Sequence, residues 1–252
     1  VIKNKVAIER MRAAGELLAG IIEEIRSSVA IGSSTLEIDS LIEAKMRAAC
    51  LKPECIGYGG YKHATCISLN DVIVHGIPSK EIVLKSGDFV KIDVVGSYKG
   101  YCADISRYFF IGDVSPVVRK LAQVAQNALD EAIKKIVPGV RISDISACIQ
   151  QEVEQEGFNV IREFTGHGIG KSMHEQPDIP NFGRPGLGVI LQPGMTLAIE
   201  PMIAERGYHV KVMPDGWTAK TVDGGMAAHV EDTVLVTSDG ADVLTRLTKE
   251  QG

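Results

Sequence analysis

The sequence predicts an α+β domain in which helices pack on one face of an antiparallel sheet. Three observations predict it. Helix-period and strand-like segments follow the order helix, helix, strands, and that order occurs twice. The strand-like stretches are joined by short turns of hairpin length, with no crossover helix between them. The two copies also align weakly at a constant offset: Val29 with Ile136, Gly32 with Gly139, Ile38 with Ile145, Ile42 with Ile149. A duplicated domain over 1–252, with halves of about 1–112 and 113–252, is the expected organisation. The cleft between the halves is the expected site.

Residues 6–28 place Ile8, Met11, Leu18, Ile21, Ile22 and Ile25 on one helix face. Ser34 and Glu37 form a capping box that opens a second helix, with Leu41, Ile42 and Met46 turned inward. Residues 65–111 read as strands. Ser115-Pro116 supplies a cap and an N1 proline for a third helix, expected to end near Pro138-Gly139. A fourth runs from about Ser143 to Glu156 and stops at Gly157. Strands follow to about residue 237.

The composition is 45% hydrophobic and 23% charged, with a net charge of −5. That balance gives no reason to expect nucleic acid or an anionic membrane as a partner. No apolar run approaches the ~20 residues of a membrane-spanning helix. The chain does not open on a basic-then-apolar segment. Its five cysteines (50, 55, 66, 102, 148) form no Cys-x-x-Cys pair. A reduced, cytoplasmic setting is therefore expected, with neither a disulfide framework nor a thiolate zinc site.

The segment FTGHGIGKSMHE (164–175) comes close to a phosphate-binding loop. That motif requires a glycine where Thr165 stands, and a helix that begins at the lysine. Pro177, Pro180 and Pro185 follow instead, and each would cost roughly 3 kcal/mol inside a helix. The two histidines of the segment need another purpose.

Asp93 and Asp104 stand inside strand-like sequence, where aspartate is depleted. A four-residue loop over 97–100 would pair Gly96 with Tyr101 and set the two aspartates directly opposite each other. Unit charges ~4 Å apart repel by about 4 kcal/mol at an effective dielectric of 20. Glu200 and Glu231 lie beside apolar runs in the same manner. Taken singly, each acid also fits an exposed strand position. Together with a histidine they form a hard oxygen-rich set that two divalent cations would neutralise. Such a set suits Mn²⁺, Fe²⁺, Co²⁺ or Zn²⁺, and paired ions are a known hydrolytic device.

HGIP (75–78), the Asp93…Asp104 hairpin, GHGIG (166–170), IEPM (199–202) and VEDT (230–233) resemble the type I methionine aminopeptidases, in order and over nearly the whole chain. The resemblance implies the pita-bread fold, with duplicated halves and a curved antiparallel sheet carrying helices on its outer face. It implies two divalent metal ions (Co, Mn, Fe or Zn) on Asp93, Asp104, His167, Glu200 and Glu231. Asp104 and Glu231 would bridge, Asp93 would serve one ion, and His167 and Glu200 the other. A metal-bridged hydroxide would attack the peptide carbonyl, with Glu200 as proton shuttle. His174 would stabilise the oxyanion, and His75 would hold the scissile amide. The implied methionine pocket is Cys55, Tyr58, Tyr61, Cys66, Met173 and Trp217, whose sulfur atoms and aromatic edges suit a thioether. Met173 departs from the phenylalanine often found there in bacterial enzymes, which bears on the pocket's shape.

The implied activity is removal of the N-terminal methionine from nascent polypeptides when a small residue follows. The ribosome is a candidate partner, and a monomer is expected. The sequence shows neither the N-terminal zinc-binding extension nor the long second-half insertion of other branches. A prolidase or Xaa-Pro aminopeptidase shares the ligand set but adds a domain ahead of the catalytic one, for which the stretch before Asp93 is short. A non-catalytic binding relative would have lost ligands. His63, His209 and His229 take no part in these motifs and read as surface or packed residues.

Overall fold

Four helices are fixed largely by their caps. In the computed structural model, which describes residues 2–247, α1 spans Lys5–Glu24 behind Asn4, whose side-chain oxygen accepts the Ala7 amide at 2.9 Å. Helix α2 (Thr35–Ala48) opens on the Ser34/Glu37 capping box that the sequence predicts. Helix α3 (Pro116–Lys134) begins at its N1 proline and ends before Pro138-Gly139. In α4 (Ile142–Glu154) the Asp144 carboxylate accepts the Arg141 amide at 2.8 Å.

Strands are numbered along the chain. The main sheet has nine: β1 (Lys52–Pro53), β2 (Thr65–Leu69), β4 (Phe89–Tyr98), β5 (Tyr101–Phe110), β7 (Thr165–Gly168), β8 (Glu175–Pro180), β9 (Thr196–Ile199), β14 (Glu231–Val236) and β15 (Ala241–Val243). Its central order is β1-β4-β5-β14-β9-β7-β8, and the pairings are antiparallel. Two three-stranded sheets flank it. One joins β6 (Asn159–Val160), β10 (Met202–Ala204) and β13 (Ala227–His229); the other joins β3 (Val72–Val74), β11 (Val210–Val212) and β12 (Ala219–Thr221).

Alternation along the strands separates core from site. Ile92, Val94 and Ile105 meet Leu18, Ile22, Ile38 and Ile42 of α1 and α2. Leu197, Ile199 and Val234 meet Leu121, Leu129, Ile145 and Ile149 of α3 and α4. Side chains one residue out of phase, among them Asp93, Asp104 and Glu231, therefore point away from the helices.

One expectation is corrected. The β4–β5 hairpin does not set Asp93 against Asp104: Val95 faces Asp104, and Asp93 faces Ser106. The loop is two residues, Lys99-Gly100, with φ of 48° and 79°. That left-handed pair matches the twist of hairpin strands better than a four-residue loop. The aspartates still share a face, as diagonal neighbours. Gly166 and Gly168 of GHGIG admit neighbouring backbone. A Cβ on Gly166 would stand 2.5 Å from the Ala198 carbonyl oxygen, and one on Gly168 would stand 2.3 Å from that of Gln176. Gly168→Ala is thus expected to destabilise the fold by about 1–3 kcal/mol, the usual cost of overpacking. Thermal melting measures it, and an unchanged melting temperature would contradict this packing.

Candidate metal centre and substrate pocket

Adjacency in the sheet brings distant residues together. Asp93 lies on β4 and Asp104 on β5, and Glu231 pairs with Ser106 across β5 and β14. Asp232 pairs with Ile199 just before Glu200, and His167 pairs with Ala198. Four neighbouring strands, and Glu200 just past the end of β9, thus each deliver one side chain to the same patch. Thr233 Oγ1 clamps the seam, accepting the Asp104 amide at 2.8 Å and donating to its carbonyl at 2.9 Å. Arg107 clamps it again, donating to the Glu231 carbonyl and to Asp232 Oδ1, both at 2.6 Å.

The patch is buried and short of partners. Asp104 is 4% exposed and Glu231 1%. Asp104 Oδ1 and Glu231 Oε1 have no hydrogen-bond partner, which is costly for buried polar atoms. His167 Nδ1 faces the Gly168 carbonyl at 2.9 Å. Donating that proton leaves Nε2 as a bare lone pair, 3.4 Å from Glu200 Oε1 and 4.0 Å from Asp104 Oδ2. Donor atoms of Asp104, His167 and Glu231 lie within 4.8 Å of one another. Orphaned carboxylate oxygens facing an unprotonated imidazole nitrogen fit a divalent cation.

Charge crowding appears in the protonation equilibria. Burial pushes the Asp93 carboxyl up to about 6 and that of Glu200 up to about 7. Asp104 and Glu231 are pushed well above the usual carboxylate range, first by burial and then by neighbouring acids. Burial pulls His75 and His229 down to about 4. These shifts act on stability in opposite directions. The raised carboxyls favour the metal-free fold at low pH and lose that benefit as pH rises through their folded values. The depressed histidines add stability above about 4, and that gain is complete by the unfolded value near 6.5. Above pH ~6.5 the carboxyls of Glu200, Asp104 and Glu231 outnumber the one opposing group, Lys91, whose ammonium burial pulls down to about 7. The metal-free protein is expected to melt at lower temperature as pH rises from about 6.5 to 8, and divalent metal should abolish the fall. Calorimetry with and without chelator measures it; a metal-free melting temperature that rises over that window would refute the charge-crowded site.

One cavity of about 240 Å³ takes its lining from every residue assigned above to ligands or pocket. Cys55, Tyr58, Tyr61, Cys66, Met173 and Trp217 form its sulfur and aromatic part, above Asp93, Asp104, His167, Glu200 and Glu231. The Tyr61 hydroxyl donates to the Thr65 carbonyl at 2.9 Å, and its ring meets Trp217 edge-on at 5.0 Å. His75, held at a left-handed φ of 59°, stands edge-on to Phe164 and Trp217. His174 sits at the mouth, with Nδ1 3.0 Å from the Tyr58 hydroxyl. Glu175 fixes its loop by accepting the Lys171 and Ser172 amides and pairing with Lys3 at 2.8 Å. A phosphate is thus excluded where a P-loop would hold one, because a carboxylate already occupies those amides and no helix follows.

A second lobe of about 280 Å³ shares His75, Asp93, His167, His174 and Glu200 with the first. It adds Phe164, Thr165, Asp178 and Met202, which the sequence reading missed. The acids therefore lie where two lobes meet. Of the histidines left without a role, His63 pairs with Asp39 at 3.1 Å beside the pocket wall. His209 stacks near Tyr208. His229 is packed, one of the two expected outcomes, but against the acids: it is 1% exposed and its Nε2 lies 3.3 Å from Glu200 Oε2. Its place two residues before Glu231 was the available signal.

Comparison with known proteins extends this picture. The model of metallopeptidase family M24 matches residues 9–238. Methionine aminopeptidase A of Synechocystis sp. is 43% identical over 94% of this chain and 94% of its own length. Methionine aminopeptidase of Escherichia coli is 40% identical over 97% of the chain and 93% of its own length. The crystal structure of methionine aminopeptidase from Thermotoga maritima superposes with a TM-score of 0.96 at 45% identity, covering 98% of this chain and 99% of that one. A prolidase from Pyrococcus furiosus shares the fold at a TM-score of 0.79 and 23% identity.

Proposed function

The chain belongs to metallopeptidase family M24, and from that premise we infer that it is a metal-dependent aminopeptidase that removes N-terminal methionine from peptides and proteins. The observation that carries this reading is the cavity in which a sulfur-and-aromatic pocket opens onto an imidazole and four carboxylates, those of Asp104 and Glu231 buried and those of Asp93 and Glu200 half-buried. A prolidase or binding relative is not favoured, since the curated relatives at 40–43% identity are methionine aminopeptidases.

The chain binds divalent metal as a member of its family. Two ions per chain, drawn from Co, Mn, Fe or Zn, would be held by Asp93, Asp104, His167, Glu200 and Glu231. The first half of the chain contributes the two aspartates and the second half the other three. Bound ions would polarise the scissile carbonyl and lower the pKa of water beside it. The remaining work falls to the side chains. Glu200 would take up and release a proton in the shuttle role that the family pattern gives this position. If the Tyr58 hydroxyl donates to His174 Nδ1, Nε2 carries the proton and can donate to an oxyanion. His75 would contact the scissile amide from the border of the two lobes. The apolar pocket takes the methionine side chain and excludes water from it.

Two peptide series test the reading. Met-Ala and Met-Gly peptides should be cleaved, Met-Lys and Met-Leu barely, and Ala-Pro-Ala not at all. Comparable turnover of Met-Leu and Met-Ala would sink the small-second-residue specificity. Cleavage of Ala-Pro-Ala in preference to Met-Ala-Ser would point to a prolidase-like enzyme. Metal analysis of anaerobically purified protein identifies the ion. Nascent polypeptides are the proposed physiological substrates, with the ribosome as a candidate docking partner and a cytoplasmic monomer as the proposed form. Among the described residues no helix is long and apolar enough to cross a membrane.

A further inference from the structure

His229 ends β13, with its Cα paired to Met202, and its ring points into the acid cluster. Its Nε2 lies 3.3 Å from Glu200 Oε2 and 3.9 Å from Glu231 Oε2. The nitrogen is fully buried and makes no hydrogen bond, although a carboxylate oxygen stands within reach. A ring nitrogen left so among acids is poorly explained as core packing, because an unmet buried polar atom costs stability. It is well explained as a ligand. Nitrogen and oxygen donors bind such cations at about 2.0–2.2 Å, so donors sharing one ion stand roughly 3–4 Å apart. The donor atoms of Glu200, His229 and Glu231 all lie within 4.8 Å of one another.

Glu200 adds an independent indication. Its Oε1 faces His167 Nε2 at 3.4 Å, while its Oε2 faces His229. One carboxylate thus spans two imidazoles, each with its own group of donors: Asp104, His167 and Glu231 on one side, Glu200, His229 and Glu231 on the other.

We propose that His229 is a direct ligand of a divalent cation, which it holds together with Glu200 and Glu231 beside the position served by His167. The inference rests on the metallopeptidase reading of this cleft and adds a sixth side chain to its ligands. A second imidazole softens the donor set and moves its preference away from Mg²⁺ and Mn²⁺ toward Fe²⁺, Co²⁺ and Zn²⁺.

The test counts coordinated imidazoles directly. The full chain, labelled with ¹⁵N-histidine and freed of metal, is loaded with ¹¹³Cd²⁺ and examined by NMR for one-bond cadmium–nitrogen coupling. Two coupled histidine nitrogens are expected. One should vanish in His167→Ala and the other in His229→Gln, which keeps an amide donor facing Glu200. A single coupled nitrogen in the wild type, lost in His167→Ala and retained in His229→Gln, would overturn the proposal while leaving the metal centre intact. Absence of any cadmium binding would overturn the metallopeptidase reading itself. The wild-type count decides the matter even if a variant fails to fold.

Discussion

Asp104→Asn is expected to strip metal from the protein and, with it, nearly all turnover. Asp104 is 4% exposed, and one of its oxygens lacks any partner, so an ion is the natural counter-charge. Unit charges at ~4 Å interact by about 4 kcal/mol at an effective dielectric of 20. Losing that much is on the order of 10³-fold in affinity, and a dication loses more. The opposite sign is expected without metal. Asn removes a buried acid that Asp93 and Glu200 crowd, so metal-free Asp104→Asn should melt a few degrees above metal-free wild type at pH 7.5. Glu231→Gln should behave alike. Titration calorimetry and chelator-treated melts measure both halves. Full activity of exhaustively chelated wild type would defeat the premise, and unchanged metal affinity in Asp104→Asn would remove this residue from the site.

His174→Ala should lower kcat by about 10²–10³, the scale of a lost oxyanion donor, while metal content holds. His167→Ala should lose metal as well, since its bare Nε2 faces the acids. Lys171→Ala and Ser172→Ala should cost little. Both residues are exposed, and their amides already serve Glu175. A phosphate-binding loop would give the reverse pattern. Steady-state kinetics on the four variants, beside an ATP titration, separate the outcomes. Tight ATP binding that disappears in Lys171→Ala would overturn the loop's assignment.

What the sequence disclosed depended on whether a residue was out of place. Acids within strand-like runs stand out because burial makes them expensive, and the Ser34/Glu37 box declares itself through capping chemistry, whereas Ser115 before the N1 proline makes no side-chain capping bond. The hairpin register did not, because GSYKG offers more than one way to turn. The chosen turn depends on which residues accept a left-handed φ, and Lys99 does so at 48°. The glycines of GHGIG signalled a close approach without saying of what. Only the neighbouring strands show that carbonyls of Ala198 and Gln176 fill the space. His229 stayed hidden because a lone histidine among alanines and valines looks like packing until Glu200 folds against it.

The order of strands in the main sheet bears on how the enzyme comes into being. Strand β5 finds its partner in β14, so Asp104 acquires its clamp from Thr233 across a separation of 129 positions. Contacts so distant along the chain carry a heavy loop-closure cost and form late in folding. During synthesis the first half emerges with Asp93 and Asp104 but without His167, Glu200 or Glu231. With the proposed ligands, a partly made chain would have no complete grip on metal. Competence would then arrive only when β5, from the middle of the polypeptide, closes on β14.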